Sequence, residues 1–396
     1  MKGLGPTRVR PVAYLKRFVR SATHDALMIT IVDDYLISES HGYELSVATH
    51  TALTDKLKTV VWQHAPDSFA GFAIAHSPTT GALTISMRQK IKEAVLTHFP
   101  SMLDTDSAPA SVTSEPHIKS LKSIADEMKL AALKPHAKTG RPVLDARQKA
   151  VQRAIGGMQF PLRINPAISL PMHRLSCVMA RPPIPESELV IKDVYSYMNK
   201  HADDGITYGG GGLSRRDPLT ACINASFRMD DGAPSNLEAT ADATYDLFEL
   251  TGILITKGGG AVHHSTHNVG ATVTCSMQSE AYANSKASDL IIYARAIEQG
   301  FGTPVDGPTL VGTDSLSHEQ VINRLAGSNR SKPFIKQYVI SLQRIASKQI
   351  TVGHIADMHM PSDFLTKWIN SRKLRQSIAY ATNSAAFVPR LSPIAE

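Results

Sequence analysis

Apolar residues recur along this chain with two different periods, and each period predicts a different kind of element. From Asp25, two β-type apolar runs are separated by the adjacent carboxylates Asp33 and Asp34, which predicts a β-hairpin. Short alternating runs predict strands at 69–76 and 82–87. A polar, helix-compatible stretch at 44–58 and a further segment at 89–98 are predicted to be helices, and helical spacing of apolar residues predicts helices at 146–158, 171–179 and 186–199.

The last third of the chain alternates between strand and helix patterns, with a glycine turn at Gly258–Gly260. Strands are predicted at 239–245, 252–256, 271–275, 309–313 and 349–354. Helices are predicted at 280–299, 317–325 and 332–345, and a closing helix is predicted from Ser362. This succession indicates a domain that combines a sheet with helices.

Two stretches lack a clear pattern. Apolar residues become sparse between Ser101 and Asp145, where Ser, Pro, Thr and Lys accumulate, which predicts a linker or a mobile subdomain. The four glycines Gly209–Gly212 lack the Lys-Ser/Thr that a phosphate-binding loop requires, so a flexible turn is the better interpretation.

Composition excludes several classes of protein. The chain has 396 residues, of which 42% are hydrophobic and 19% charged, so it is long enough for two or three domains and is not disordered throughout. No run approaches the ~18 apolar residues of a membrane-spanning helix, and no membrane association is expected. The three cysteines, Cys177, Cys222 and Cys275, form no metal-binding or disulfide pattern, which favours an intracellular location, cytoplasmic or nuclear.

The charge is unevenly distributed. The formal net charge is +7, yet residues 241–370 hold 10 Lys and Arg against 11 Asp and Glu. A basic protein can bind nucleic acid through its positive charge. If the near-neutral block also handles nucleic acid, metal binding is the clearest use for its acids.

Four acids in this block occupy distinct places in the predicted succession. Asp242 lies in the first strand, Glu280 opens the long helix, Asp314 ends a strand and Asp363 opens the last helix. Strand ends and helix starts are where a sheet presents a site. Carboxylates brought within ~4 Å would repel and recruit divalent cations, which can hydrolyse a phosphodiester. The alternative is that these acids merely solvate the surface.

Five local motifs surround the four acids of this block. They are Ala241-Asp-Ala-Thr-Tyr245, Gly258-Gly-Gly-Ala-Val-His-His-Ser265, Ser276-Met-Gln-Ser-Glu280, Thr313-Asp-Ser315 and Met360-Pro-Ser-Asp-Phe-Leu-Thr-Lys367. In order and spacing, these motifs resemble those of the ribonuclease H domain of copia-type retrotransposon polyproteins. The resemblance implies a mixed sheet flanked by helices. It also implies that Asp242, Glu280, Asp314 and Asp363 are catalytic and bind Mg²⁺, with Mn²⁺ as an alternative ion.

The resemblance extends upstream and covers about residues 20–370. Arg163–Met179 is similar to the connection segment of the family, and Ile31-Val-Asp-Asp34 is similar to the palm hairpin of reverse transcriptases, which implies that Asp33 and Asp34 are metal ligands. The implied domains are a truncated palm (1–100), a linker or thumb-like segment (101–145), a helical connection (146–231), a ribonuclease H-like domain (232–370) and a basic tail (371–396).

Some residues depart from the family pattern. Only 32 residues precede Asp33, so we expect no third palm carboxylate and no fingers, and DNA polymerase activity should be lost unless a longer reverse transcriptase chain associates. His264 stands where the family usually has tryptophan. The function implied is metal-dependent hydrolysis of RNA in RNA–DNA hybrids. The alternative is a catalytically inactive relic or a co-opted nucleic-acid-binding protein.

Five histidines lie close to these motifs. His263, His264 and His267 could bind zinc if they lay on a helix, but the resemblance places them on a hairpin, where exposed polar positions are the simpler interpretation. His354 and His359 precede Asp363 in a loop where related ribonucleases use a histidine in product release, and their register leaves that role open.

Overall fold

A computed structural model of the chain describes residues 7–9, 13–21, 24–31, 34–39, 45–56, 63, 66–77, 79–103, 111–132, 143–209, 237–243, 249–269, 273, 275–301, 307–324 and 335–384. Within these ranges, none of the helices combines the length and the apolarity that crossing a bilayer requires. Cys177 and Cys275 are free thiols, and Cys222 lies outside the described residues.

The N-terminal strands form a four-stranded antiparallel sheet in chain order. Its strands are β1 (Thr7–Val9), β2 (Ala13–Ser21), β3 (His24–Ile31) and β4 (Asp34–Glu39). Strands β3 and β4 are antiparallel neighbours, with Ile31 paired with Asp34 next to the turn, which confirms the predicted hairpin. Asp33 lies outside the described residues, and the assignment of this region to a polymerase palm stays a prediction.

A second antiparallel sheet is built from short strands and closed by a distant one. It contains β5 (Ser68–Phe69), β6 (Phe72–His76), β7 (Leu83–Ser86) and β8 (Ile206–Tyr208) in that order. The hydroxyls of Thr84 and Thr207 lie 2.9 Å apart across β7 and β8. Strand β8 follows the helices of residues 88–200 in sequence, and its pairing with β7 places the end of that helical region beside residues 83–86.

Six helices precede the last third of the chain. They are α1 (Leu45–Lys56), α2 (Arg88–His98), α3 (Glu115–Ala132), α4 (Ala146–Gly157), α5 (Ser169–Val178) and α6 (Ile184–Lys200). Five of them were predicted within about three residues at each end. The start of α4 is set by a capping box, in which Asp145 accepts from the backbone N–H of Gln148 and the Gln148 side chain accepts from that of Asp145.

Helix α3 lies in the segment 101–145, for which a linker or a mobile, thumb-like subdomain was predicted, and its packing argues against the linker alternative. It has 18 residues, and Ile118, Leu121 and Ala125 are buried on one side of it. These three residues form a narrow stripe among lysines, serines and acids, so the low apolar content of the segment concealed the helical period. The division of the chain into domains stays a prediction.

The last third forms a five-stranded mixed sheet with helices packed against it. Its strands are β9 (Leu237–Ala243), β10 (Leu250–Lys257), β11 (Gly260–Asn268), β12 (Thr309–Thr313) and β13 (Ile350–His354), in the order β11-β10-β9-β12-β13. Strands β9 to β11 are antiparallel, whereas β12 is parallel to both neighbours. The helices are α7 (Ser276–Phe301), α8 (Leu316–Arg324) and α9 (Ile335–Ala346). The predicted combination of a mixed sheet with flanking helices is confirmed.

The third strand of this sheet lies on the hairpin that the resemblance implies for His263, His264 and His267, and not where the apolar pattern predicted a strand. The prediction placed it at 271–275, where Ala271, Thr272 and Thr274 lie outside the described residues, whereas β11 pairs with β10 along Gly260–Asn268. Gly258 and Gly259 adopt positive φ values of 59° and 87°, which turns the chain between the two strands. The apolar pattern did not show this strand, because histidines and threonines occupy many of its positions, whereas the hairpin that the resemblance implied is confirmed.

The end of the chain also differs from the prediction. Residues Asp363–Leu365 form a single 3₁₀ turn instead of opening a helix. The closing helix α10 (Ser371–Thr382) begins at an Asn370 cap, whose side chain accepts from the backbone N–H of Lys373. Leu374, Ala379 and Ala381 are buried, so residues 371–382 form a packed helix where a basic tail was predicted, and 385–396 lie outside the described residues.

Strand β10 separates two apolar cores. Ile253 and Ile255 face α7 and belong to a core formed with β9, β12 and α7. Leu254, on the opposite face, belongs to a core that includes the helices from α2 to α6 together with Phe364 and Leu374. Since side chains alternate along a strand, one strand supplies both cores. The helical region and the mixed sheet therefore share buried surface.

Candidate metal centre

Three carboxylates meet at one edge of the mixed sheet. The last parallel pair of β9 and β12 matches Thr240 with Gly312, so two residues further on Asp242 lies level with Asp314. Helix α7 packs against β9 and brings Glu280, near its start, to the same edge. Carboxylate oxygens of Asp242, Glu280 and Asp314 lie within 4.8 Å of one another.

A second group of carboxylates shares Asp314 with the first. Oxygens of Asp314, Asp357 and Asp363 also lie within 4.8 Å of one another. Asp363 comes from the 3₁₀ turn after Ser362, and Asp357 from a 3₁₀ turn after β13. The structure therefore brings together all four acids predicted for the ribonuclease H-like domain. Asp33 and the side chain of Asp34 lie outside the described part of the chain.

Hydrogen bonds orient the two most enclosed carboxylates of the first group. The hydroxyl of Thr366 donates to Oδ2 of Asp242, which is 1% exposed. The backbone N–H of Ala243 donates to Oε1 of Glu280 at 3.2 Å, and the Thr313 hydroxyl donates to Oε2 at 3.2 Å. Each of these oxygens accepts one described hydrogen bond, which leaves lone pairs for a cation.

Two lysines neutralise the second group. The ammonium of Lys373 contacts Oδ2 of Asp363, which is fully buried, and donates to the backbone carbonyl of Asp357 at 2.6 Å. The ammonium of Lys367 lies 3.1 Å from Oδ1 of Asp363 and 3.4 Å from Oδ1 of Asp357. A buried carboxylate needs such partners because desolvation strongly disfavours an isolated charge.

Burial raises the pKa of each of the three carboxyl groups in the first group. Desolvation raises the pKa of Asp242 to about 7, although Lys367 opposes the shift, and Asp363 and Asp314 add to it. Desolvation and the charge of Asp242 raise the pKa of Glu280 well above its usual value. Desolvation also raises the pKa of Asp314. Without a cation, the cluster therefore holds protons at pH values where isolated carboxyls would be ionised.

The pKa of Lys367 moves in the opposite direction. Burial alone would lower it, but the surrounding carboxylates Asp242, Asp363 and Asp314 raise it overall. Lys367 is therefore a permanent positive charge between the two groups of acids.

A glycine allows the turn that carries Asp363 to approach the sheet. Gly252 on β10 pairs with Asp242, and a Cβ atom at this position would lie 2.6 Å from Cβ of Leu365 and 2.8 Å from Cγ2 of Thr366. Such distances are shorter than carbon–carbon van der Waals contact. Only glycine lets this turn place Thr366 against Asp242.

The donor set fits a hard divalent cation. Both groups consist of carboxylate oxygens, which Mg²⁺ and Mn²⁺ prefer, and neither contains a cysteine or histidine ligand. Like charges at these separations, buried from water, disfavour full ionisation, and a cation would remove that cost. Asp242, Glu280 and Asp314 could hold one ion. Asp314, Asp357 and Asp363 could hold a second only if it displaced an ammonium, because Lys367 and Lys373 contact both oxygens of Asp363.

The histidines near the motifs have other contacts. The neutral ring of His264 donates from Nε2 to the carbonyl of Arg163 at 3.3 Å and accepts at Nδ1 from the Ser169 hydroxyl at 3.0 Å. Burial lowers the pKa of His264 to about 4, which keeps the ring neutral. His263 Nε2 lies 3.0 Å from the hydroxyl oxygen of Ser265. His263, His264 and His267 all lie on β11, which is a strand, so the helix that the zinc hypothesis requires is not present at these residues.

His354 lies beside the carboxylates but does not belong to either group. It is exposed at the end of β13, and its Nε2–H donates to the backbone carbonyl of Asp314 at 3.2 Å. His359 lies in the 3₁₀ turn that begins at Asp357. A role of either histidine in product release stays a hypothesis.

Sequence reasoning missed Asp357, Lys373 and Gly252. Asp357 lies in no motif of the resemblance, although its place after the last predicted strand matches the criterion that selected Asp314. Lys373 was assigned to a basic tail, and nothing in its local sequence indicates a buried partner. The role of Gly252 depends on a turn more than one hundred residues away, so no local signal could have identified it.

Comparisons with known proteins find similarity of fold only. The chain resembles a ribonuclease H1, LC11, solved in complex with an RNA/DNA hybrid (18% identity, TM-score 0.27, 33% of this chain and 94% of that chain). It also resembles ribonuclease H1 from Halobacterium salinarum (16% identity, TM-score 0.27, 33% of this chain and 95% of that chain). A prototype foamy virus protease–reverse transcriptase matches with 16% identity and a TM-score of 0.23 over 39% of this chain and 20% of that chain.

No protein-family model matches the chain, and no curated protein matches it in sequence. Identities and TM-scores as low as those of the solved structures carry no conclusion about chemistry, substrate or partners.

Proposed function

We propose that this protein is a metal-dependent nuclease that hydrolyses the RNA strand of RNA–DNA hybrids. The observation that carries the proposal is the convergence of five carboxylates from five separate segments into two groups that share Asp314. Asp242 and Glu280 are enclosed by the fold and have no ion pair among the described residues, and burying such like charge is costly unless a cation neutralises it. A purely structural role for the acids would not require this arrangement.

The residues of the chain hold and orient the carboxylates. Thr366 fixes Asp242, while Thr313 and the Ala243 backbone fix the two oxygens of Glu280. When bound, Mg²⁺ would supply a coordinated water of lowered pKa and positive charge at the phosphate. Lys367, between the two groups, adds a fixed cation that favours an anionic substrate.

The choice of an RNA–DNA hybrid is supported by the motif resemblance to the ribonuclease H domain of copia-type polyproteins. A hybrid would be bound through its backbone shape and charge by lysines and arginines of the connection, with little reading of bases. We likewise propose a copia-type origin, with a residual palm near Asp33 and Asp34 and DNA polymerase activity only in association with a longer reverse transcriptase chain.

Cleavage of a labelled RNA–DNA hybrid in Mg²⁺ tests the proposal. The intact chain should cut the RNA strand, and Asp242→Asn should reduce the rate by roughly 10²–10³-fold, the scale of losing one preorganised group. Asp289→Asn is the matched control. Asp289 lies on α7 like Glu280, but its 56%-exposed side chain only pairs with Arg344 at the surface, so activity should be unchanged.

A folded chain that cleaves in neither Mg²⁺ nor Mn²⁺ would contradict the nuclease proposal. It would favour the alternative of an inactive relic or a co-opted nucleic-acid-binding protein. Salt-dependent binding of nucleic acid is expected under both hypotheses and does not separate them.

A further inference from the structure

A cavity of about 800 Å³ lies between α10, the end of α6, strands β7 and β8, and the segment before the 3₁₀ turn at Pro166–Ile168. Small-molecule sites usually have volumes of ~300–1,000 Å³. None of the five carboxylates is among the described residues that line it. The cavity is therefore distinct from the candidate metal centre, although α10 borders both, since Lys373 contacts Asp363 and Leu374 lines the cavity.

Two polar side chains with low exposure line this cavity. Asn165 and Tyr197 are each only 8% exposed, and neither the Asn165 amide nor the Tyr197 hydroxyl makes a hydrogen bond to any described residue. The Tyr197 ring stacks on that of His201, with 4.4 Å between the ring centroids. The polar atoms of Asn165 are open to the cavity, so a ligand or water there can complete the hydrogen bonds of the amide.

Two cations and one acid lie among the described residues that line the cavity. Lys200 and Arg375 are exposed at its rim, and neither has an ion-pair partner among the described residues. The acid, Asp204, lies 2.7 Å from Nδ1 of His201, so the two cations outnumber the single carboxylate. A guanidinium matches a phosphate through parallel N–H donors, so this pair of cations favours a phosphate-bearing ligand.

The remaining wall is apolar. Ile164, Leu374, Ile378 and Ala379 face the cavity and could cover a flat ring system. An asparagine amide offers one donor side and one acceptor side, which suits the polar edge of a nucleobase. We propose that the cavity binds a nucleoside monophosphate, free or as the 5′-phosphorylated end of a strand, with the phosphate on Arg375 and Lys200 and the base edge on Asn165.

Calorimetric titration of the full chain with adenosine 5′-monophosphate in EDTA tests this proposal. Chelation removes cations that could hold a phosphate at the carboxylates, and an Asp242→Asn chain should bind the nucleotide unchanged. Adenosine alone and inorganic phosphate alone should each bind more weakly than the nucleotide. A 5′-phosphorylated DNA oligonucleotide that competes better than its unphosphorylated form would identify a strand end as the source, whereas no competition would identify the free nucleotide.

Two variants locate the site. Arg375→Gln should weaken nucleotide binding about tenfold or more, the scale of losing a hydrogen bond to a charged group. Arg372→Gln, on the same helix but not lining the cavity, is the matched control and should bind as the native chain does. Circular dichroism checks that both variants fold. Asn165→Asp keeps the shape of the side chain and should weaken binding, because it replaces an amide donor with a negative charge.

A photoreactive 8-azido analogue of the nucleotide gives an independent location. Crosslinks mapped to the segment around Asn165 or to Leu374–Ser384 would support the site. The proposal is overturned if the native chain binds no nucleotide up to millimolar concentration, or if Arg375→Gln and Arg372→Gln weaken binding equally. Binding of inorganic phosphate as strong as that of the nucleotide would also overturn it.

Discussion

The carboxyl group of Asp242 is the most constrained group of the candidate metal centre. It is 1% exposed, accepts a hydrogen bond from Thr366 and lies near the charges of Asp363 and Asp314. Burial raises its pKa to about 7 in the folded chain, while the unfolded chain has an ordinary aspartate. Proton uptake is therefore linked to folding and to metal binding at this one residue.

This linkage predicts how stability changes with pH. Because the folded-state pKa of Asp242 is the higher one, its contribution to stability is complete at low pH, below the unfolded pKa, and is lost as pH rises through about 7. In EDTA, the free energy of unfolding should fall between about pH 4 and pH 7, as measured by urea denaturation. Asp242→Asn should flatten that slope, and a slope unchanged by the substitution would contradict the assignment.

The same residue predicts the pH dependence of metal binding. Mg²⁺ must displace the protons that the raised pKa values of Asp242 and Glu280 retain. The increase in Tm caused by Mg²⁺ should therefore be larger at pH 8 than at pH 6. Equal increases at both pH values would indicate binding elsewhere.

Lys373 makes a testable contribution at the other carboxylate group. Lys373→Gln removes one of two ammonium partners of Asp363, which is fully buried, and should cost about 1–3 kcal/mol of unfolding free energy. Mg²⁺ should recover part of the loss because a cation near Asp363 replaces the missing charge. Arg372→Gln, one residue away and exposed, serves as the control. A loss of the same size in both variants would mean that Lys373 acts through the helix surface alone.

At the scale of elements, the turn at Asp363–Leu365 packs directly against Gly252 of strand β10. Gly252→Ala should displace that turn, lower hybrid cleavage at least tenfold and destabilise the chain by about 1–3 kcal/mol, because the added carbon would overlap Leu365 and Thr366. Gly156→Ala in α4 is the control, since its added carbon meets nothing within 4 Å and alanine favours a helix. Full activity in Gly252→Ala would show that the turn does not position the site.

Helix α3 offers a second test at this scale. Leu121 is fully buried in the core that contains α2 to α6, so Leu121→Ala should cost about 2–5 kcal/mol in urea denaturation. Leu130 lies on the same helix and is 44% exposed, so Leu130→Ala should cost less than about 1 kcal/mol. Similar small losses in both variants would restore the interpretation of 101–145 as a linker.

At the scale of the whole molecule, the two cores make the predicted domains interdependent. Leu254, Phe364 and Leu365 belong to the last third of the chain but pack in the core of the helical region. A fragment of residues 232–396 carries all five carboxylates and yet exposes these side chains. It should unfold at lower urea concentration than the full chain and cleave hybrid poorly, and adding residues 1–231 as a separate chain should restore activity.

The opposite result would have a clear meaning. If the isolated fragment proves as stable and as active as the full chain, residues 232–396 fold and act as an autonomous unit. The contact of Leu254 with the helical region would then contribute little energy.

Most elements could be predicted from the sequence because their apolar periods are local. Helix α6 and strand β12 were recognised in this way, as were the acids at strand ends and helix starts. The apolar pattern failed where polar residues occupy structured positions or where the apolar stripe is narrow. The histidines of β11, which only the resemblance placed on a hairpin, are an example of the first case, and α3 is an example of the second. The apolar pattern also failed at Ser362, where packing against Gly252 selects a turn instead of a helix.

The sequence by itself determined the alternation of strands and helices and named four of the five acids, because both depend on local spacing and motif order. Only the tertiary structure decided that these acids form two groups sharing Asp314, that Asp357 joins them, and that Lys367 and Lys373 neutralise Asp363. The cavity beside Arg375 also became evident only from the tertiary structure. The physical reason is that these features depend on distances between residues far apart in the chain, which strand register and core packing set and local sequence does not.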